Sequence, residues 1–130
     1  MTSHSRYDPD LDVIRTDVTG IGAPDRHVVD EIFDELIAVG RSRPRKTWVI
    51  ACWRDVKIDD PAVATYYGER TAELMQYVAG VVRYAANDPV TRAIVRSETL
   101  KHRAQGTRSN LYATFDEALA AVREAEAHAP

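Results

Sequence analysis

The segment Thr47-Trp48-Val49-Ile50-Ala51-Cys52-Trp53 does most to constrain the fold. It is a nearly continuous apolar, β-prone run. Side chains of a strand point alternately to the two faces of a sheet, so a run apolar at both parities is buried on both faces. That is the signature of a parallel sheet covered by helices.

The flanking sequence supplies those helices. Residues Leu11 to Thr19 alternate, with Val13, Ile14 and Val18 apolar, and predict a strand ending at Gly20. From Pro24 to Gly40 the apolar positions Val28, Val29, Ile32, Phe33, Leu36 and Ile37 fall on one helical stripe, with Asp30, Glu31, Asp34 and Glu35 opposite. The basic linker Arg41-Ser42-Arg43-Pro44-Arg45-Lys46 follows. Asp60-Pro61 starts a second helix by capping and predicts a run to about Ala79, stopped by Gly80. A strand over Val81 to Ala86 comes next. Asp88-Pro89 repeats the helix start, with Val90, Ala93, Ile94, Ser97 and Leu100 on the expected inner face as far as Ala104. A short strand at Leu111 to Ala113 precedes the capping box Thr114-Phe115-Asp116-Glu117 and a last helix that frays in the alanine-rich tail.

The expected fold class is therefore α/β: a four-stranded, mainly parallel or mixed sheet with about four helices, in the order β-α-β-α-β-α-β-α. The chain reads as one domain over residues 1–130, with 1–10 a flexible N-terminal segment and 126–130 a frayed tail. A hydrophobic fraction of 45% against 28% charged residues excludes a disordered chain, and a net charge of −3 gives no global attraction to nucleic acid. One cysteine, Cys52, excludes an internal disulfide. The polar start Met1-Thr2-Ser3-His4-Ser5-Arg6-Tyr7-Asp8 lacks a signal-peptide core, and no apolar run reaches the roughly 20 residues of a membrane span. A soluble, cytoplasmic protein is expected.

The order of elements, the apolar strand ending Cys52-Trp53-Arg54-Asp55 and the closing segment Asn110-Leu111-Tyr112-Ala113-Thr114-Phe115-Asp116-Glu117-Ala118-Leu119 carry a resemblance. Over about Leu11 to Ala125 the chain resembles the STAS-like, or sporulation anti-sigma-factor-antagonist-like, group of small α/β domains. The resemblance implies a non-enzymatic regulatory domain that acts on a protein partner. Antagonists of this type carry a phosphorylatable serine after an aspartate. Here Trp53-Arg54-Asp55-Val56-Lys57-Ile58-Asp59-Asp60 holds Asp55 but no serine or threonine, which puts the phosphorylation switch in doubt. Another branch of the resemblance includes lipid- or small-ligand-binding domains.

In an open parallel sheet, ligands bind beyond the carboxyl ends of the strands. The loops there nominate Arg54, Asp55, Lys57 and Asn87 as ligand-binding residues. Gly20-Ile21-Gly22-Ala23-Pro24-Asp25 begins like a dinucleotide fingerprint, but Asp25 replaces the third glycine and Pro24 removes a backbone donor. It reads as a tight turn. Asp55, Asp59, Asp60 and Asp88 could converge on a hard cation, but capping explains Asp60 and Asp88, so no metal or cofactor is expected. Cys52 has no base spaced as its partner among His4, His27, His102 and His128, and reads as a buried structural thiol.

Two surfaces remain. Arg92, Arg96 and Arg103 form a basic stripe on the third helix, with Lys101 and Arg108 nearby. Tyr66, Tyr77 and the mid-helix Gly68 mark the second helix as a dimer surface. The leading expectation is a contact-acting interaction domain, self-associating as a homodimer or binding a protein partner. The alternative is a small-ligand or lipid-binding domain that uses the loops at the carboxyl ends of the strands, with a small apolar ligand as one candidate occupant. Nucleic acid is not expected.

Overall fold

The computed structural model describes residues 4–21, 26–58, 60–101, 109 and 111–128. Strands β1 (Ser5–Asp8) and β2 (Val13–Asp17) form an antiparallel hairpin. Strands β2, β3 (Thr47–Cys52), β4 (Val78–Tyr84) and β5 (Leu111–Tyr112) then run parallel, in the spatial order β1-β2-β3-β4-β5. Helices α1 (Arg26–Arg41), α2 (Pro61–Leu74), α3 (Pro89–Lys101) and α4 (Phe115–His128) follow β2, β3, β4 and β5.

The α/β class and the parallel core are as expected, and all six residues of β3 are buried. Helices α1 and α2 cover one face, where Val29, Phe33, Leu36 and Leu74 pack on Ile14, Val49, Val78 and Val81. Helix α4 covers the other, with Ala118, Val122 and Ala125 on Val13, Trp48, Ile50 and Val82. Fully burying an aliphatic or aromatic side chain of this kind stabilises by roughly 1.5–3 kcal/mol, and a third cluster of Val18, Ala51, Trp53, Val56, Ile58, Ala86 and Val95 adds to these two layers.

Among the described residues the sheet has five strands rather than four. Ser5–Asp8, expected to lie in a flexible segment, is an edge strand. Asp8 makes the hairpin possible: its carboxylate accepts from the N–H groups of Asp10 and Leu11, and Asp12 completes the turn at φ 54°. Glu35 of α1 accepts from the N–H groups of His4 and Ser5 at 2.7 Å each.

Helix α2 also ends earlier than expected. It stops at Leu74, a turn follows over 75–77, and Val78 begins β4, so Gly80 lies inside a strand. The reason is steric. Gly80 pairs with Trp48 beside a register shift, and a Cβ on Gly80 would stand 2.3 Å from the Trp48 ring. The glycine makes room for the indole rather than stopping a helix.

Helix α3 is rotated from its expected phase. Thr91 and Val95 are buried and Ile94 packs on the core as expected, whereas Val90 is 54% exposed and Ala93 faces solvent; the side chains of Ser97 and Leu100 lie outside the described residues. Thr91 wins the inner position because its hydroxyl is used there: it donates to Asp88 and accepts from the Ile58 N–H at 3.0 Å. Helix α4 continues to His128 instead of fraying from 126.

Candidate functional site

The loops at the carboxyl ends of the strands hold the residues nominated from sequence. Asp55 sits at φ 57°, a left-handed conformation that costs a non-glycine residue energy and that asparagine and aspartate tolerate best. Asn87 holds it there. The Asn87 amide donates to the Asp55 carboxylate at 2.8 Å, and the Asp55 N–H donates to the Asn87 carbonyl oxygen at 3.2 Å. Arg54 and Lys57 extend exposed side chains beside this clasp, while their backbones tie down the first loop: the Gly20 N–H donates to Arg54 O and the Lys57 N–H to Ile21 O. The structure thus joins Asp55 to Asn87 and leaves the side chains of Arg54 and Lys57 at the surface.

Beneath these loops lies an apolar cavity walled by Val18, Ile21, Phe33, Trp53, Val56 and Ile58. Its free volume is about 40 Å³. That is room for about one or two water molecules, not for a ligand pocket of roughly 300–1,000 Å³. Arg83, fully buried, borders it; its Nε and Nη2 donate to the Tyr67 hydroxyl at 3.2 and 2.9 Å, and its guanidinium lies 5.3 Å from the Trp53 ring. Asp55, Arg54, Lys57 and Asn87 do not line this cavity.

The opposite face of the sheet offers more space. Helix α4 packs on β3, β4 and β5, and beside it, over β1 and β2, a groove of about 430 Å³ runs toward the strand ends. Strand alternation sets its walls. Arg6 is paired with Arg15 across the hairpin, so both project to the same side, and Asp17 follows Arg15 two residues on. Ile50 and Tyr84 form the floor toward α4.

The groove is held in shape by its own contacts. The Arg15 guanidinium lies 4.1 Å from the Phe115 ring centroid and 3.5 Å from the Asp8 carboxylate. The Tyr84 ring meets Phe115 edge-on at 5.7 Å. Burial pushes the Tyr84 phenol above its ordinary pKa, and a hydrogen bond with the Cys52 thiol adds to this while Arg15 opposes it, so Tyr84 keeps its proton as a donor. The Thr19 hydroxyl, then its N–H, hold the Asp17 carboxyl below the usual range against the effect of burial, with His4 and Arg54 helping. His4 Nδ1 donates to the Asp17 carbonyl at 3.1 Å. The groove therefore presents two guanidinium groups that share the Asp8 carboxylate, a phenol and the ionised Asp17 carboxylate around a small apolar floor.

Sequence reasoning missed Arg6, Arg15, Asp17 and Tyr84 as a group. The available signal was the turn Asp8-Pro9-Asp10 between two short alternating stretches; read as a hairpin, it places Arg6 opposite Arg15.

The other nominated residues fall as follows. Tyr66, expected to face partly outward, is turned onto α1, where its hydroxyl donates to Asp30 and Arg26 stacks on its ring at 4.4 Å. Arg70 completes that junction, reaching Asp34 at 2.6 Å and Asp30 at 3.5 Å. Tyr77 is half-buried in the turn after α2, with Arg41 5.6 Å from its ring. Arg92 is drawn back to the Ala86 carbonyl at 2.9 Å, so it closes a loop, whereas Arg96 is exposed. Arg103, Arg108, Asp59, Asp25 and Pro24 lie outside the described residues, as do the side chain of Lys101 and the expected helix end at Ala104. Cys52 is buried, its sulfur 3.3 Å from Thr19 Oγ1. Among the described residues, no His, Cys, Asp or Glu side chains group to hold a metal ion, and no helix is long and apolar enough to cross a membrane.

No family model, curated protein or solved structure matches this chain.

Proposed function

We propose that this chain is a non-enzymatic regulatory domain of the STAS-like type that acts by binding, and that its working site is the groove beside α4. The observation that carries the reading is the convergence of Arg6, Arg15, Asp17 and Tyr84 on a space of about 430 Å³ beside the strand ends. That volume lies in the range of small-molecule sites. Polar groups held by a rigid sheet fix a ligand's orientation at little entropic cost. The fitting occupant is a small polar molecule bearing a carboxylate or similar oxyanion, seated on Arg15 with its body over Ile50. This differs from the apolar ligand of the sequence-based alternative, because the apolar cavity under the strand-end loops is an order of magnitude smaller.

A protein partner is the second reading, favoured by Val90, which is 54% exposed in the first turn of α3, three residues after Asn87 of the clasp. Native mass spectrometry of the protein, taken gently from the cells that make it, separates the two. A bound mass of a few hundred daltons, lost in both Arg15→Ala and Tyr84→Phe, is expected. The same small adduct in wild type and both variants would remove the groove as the site. A protein-sized adduct lost on Val90→Glu would instead establish the second reading.

A further inference from the structure

At the opposite pole of the sheet, the basic linker folds into a pocket that the groove does not use. Arg41, Arg43, Arg45 and Lys46 line it together with Gln76 and Tyr77, around a volume of about 290 Å³. Four cations thus share one concavity on a chain whose overall charge is −3. Asp12, ion-paired with Arg45, neutralises one of them.

Like charges crowd together in this way only at a cost, and here contacts with the fold position three of the four. Arg43 stacks 3.5 Å from the Tyr7 ring centroid, and its Nε is buried without a hydrogen-bond acceptor. Arg41 lies over Tyr77, and Arg45 is fixed to the hairpin turn through Asp12. The end of α1 would oppose an anion through its carbonyl dipoles. Those carbonyls are occupied, however: Ser42 N–H donates to Ala38 and Val39, Ser42 Oγ to Val39, and Arg43 N–H to Gly40.

We propose that this pocket binds a compact multiply charged phosphate ligand. Guanidinium groups match phosphate oxygens two donors at a time, and Arg43, stacked on Tyr7, holds one such group at the pocket wall. With three cations left uncompensated by Asp12, a ligand carrying two or more negative charges balances the pocket, whereas a single carboxylate does not. The Gln76 amide supplies a neutral donor at the rim.

Isothermal titration at low salt with inorganic pyrophosphate tests this on the full chain. Arg41 and Lys46 are exposed, so Arg41→Gln/Lys46→Gln removes two charges with little effect on folding, which circular dichroism checks. Binding of pyrophosphate to the wild type and an affinity loss of about ten-fold or more in the double variant are expected, the latter being the scale of one or two charge-assisted hydrogen bonds. Arg96→Gln, on the exposed face of α3, keeps the wild-type affinity. No pyrophosphate binding at millimolar concentration, or equal loss in Arg96→Gln, would overturn the proposal. So would binding of hexaglutamate in preference to pyrophosphate, which would mark an acidic protein segment as the occupant.

Discussion

Gly80 lies directly beneath the indole of Trp48, and a single methyl group added there would stand 2.3 to 2.8 Å from three ring carbons. Trp48 packs with Val13, Ile50 and Val82 against α4, so a shift of the indole would disturb that packing. Gly80→Ala is expected to destabilise the fold by about 1–3 kcal/mol, the usual cost of overpacking a core. In a Trp48→Leu background most of that cost should vanish. Thermal unfolding of the two single variants and the double variant measures the coupling; simple additivity would show that the glycine matters for another reason.

The Asp55–Asn87 clasp makes a second double-variant test. Asn87→Ala should cost about 1 kcal/mol, as a hydrogen-bonded side chain supporting a left-handed residue is lost. Asp55→Gly relieves the φ of 57° while giving up the carboxylate, so it should cost less than Asn87→Ala. With glycine in place, Asn87→Ala should then cost almost nothing. Urea unfolding midpoints decide the matter.

Tyr67 is the acceptor for two Arg83 donors, and its ring meets Phe33 and Trp53 edge-on at 5.0 and 5.1 Å. Tyr67→Phe keeps the ring and deletes the acceptor of a buried charged group. A loss of about 1.5–3 kcal/mol is expected, the scale for hydrogen bonds to charged groups. A change below a few tenths in chemical denaturation would mean that other contacts of Arg83 carry the whole burden.

Asp88 ties acid sensitivity to the start of α3. The Thr91 N–H, then the Thr91 hydroxyl, hold its carboxyl below the ordinary value, and burial works against them. A carboxylate depressed in the folded state stabilises fully above its unfolded pKa of about 4, and that contribution is lost as the pH falls through the lower folded value. Asp88→Asn should therefore be less stable than wild type at pH 7, with the two converging under acid conditions below about pH 4. Melting temperatures across pH 2–7 would show this, and a gap independent of pH would refute it.

The elements announced by strong periodic or capping signals were legible in the sequence. The double-faced apolar run became β3, and Asp60-Pro61, Asp88-Pro89 and Thr114 to Glu117 each began a helix. What escaped was set by tertiary contact. Ser5-Arg6-Tyr7-Asp8 contains one apolar residue and becomes a strand only because β2 and Glu35 take up its backbone groups. Tyr77-Val78-Ala79-Gly80 reads as the end of a helix until Trp48 is laid over the glycine. The groove depended on that unseen hairpin, since Arg6 and Arg15 are nine residues apart in the chain and meet only through its register.

Glu35 carries a further consequence for the company this protein keeps. An outer strand ordinarily offers a row of unused amide groups to any extended chain that passes, which is how sheets recruit neighbours and how aggregates begin. By occupying the N–H groups of His4 and Ser5, the carboxylate of Glu35 stoppers that rim at its first residues. Among the described residues the opposite rim is β5, two residues long. Growth of one sheet into another is thus discouraged at both margins, and encounters between molecules are directed to side chains rather than to the backbone.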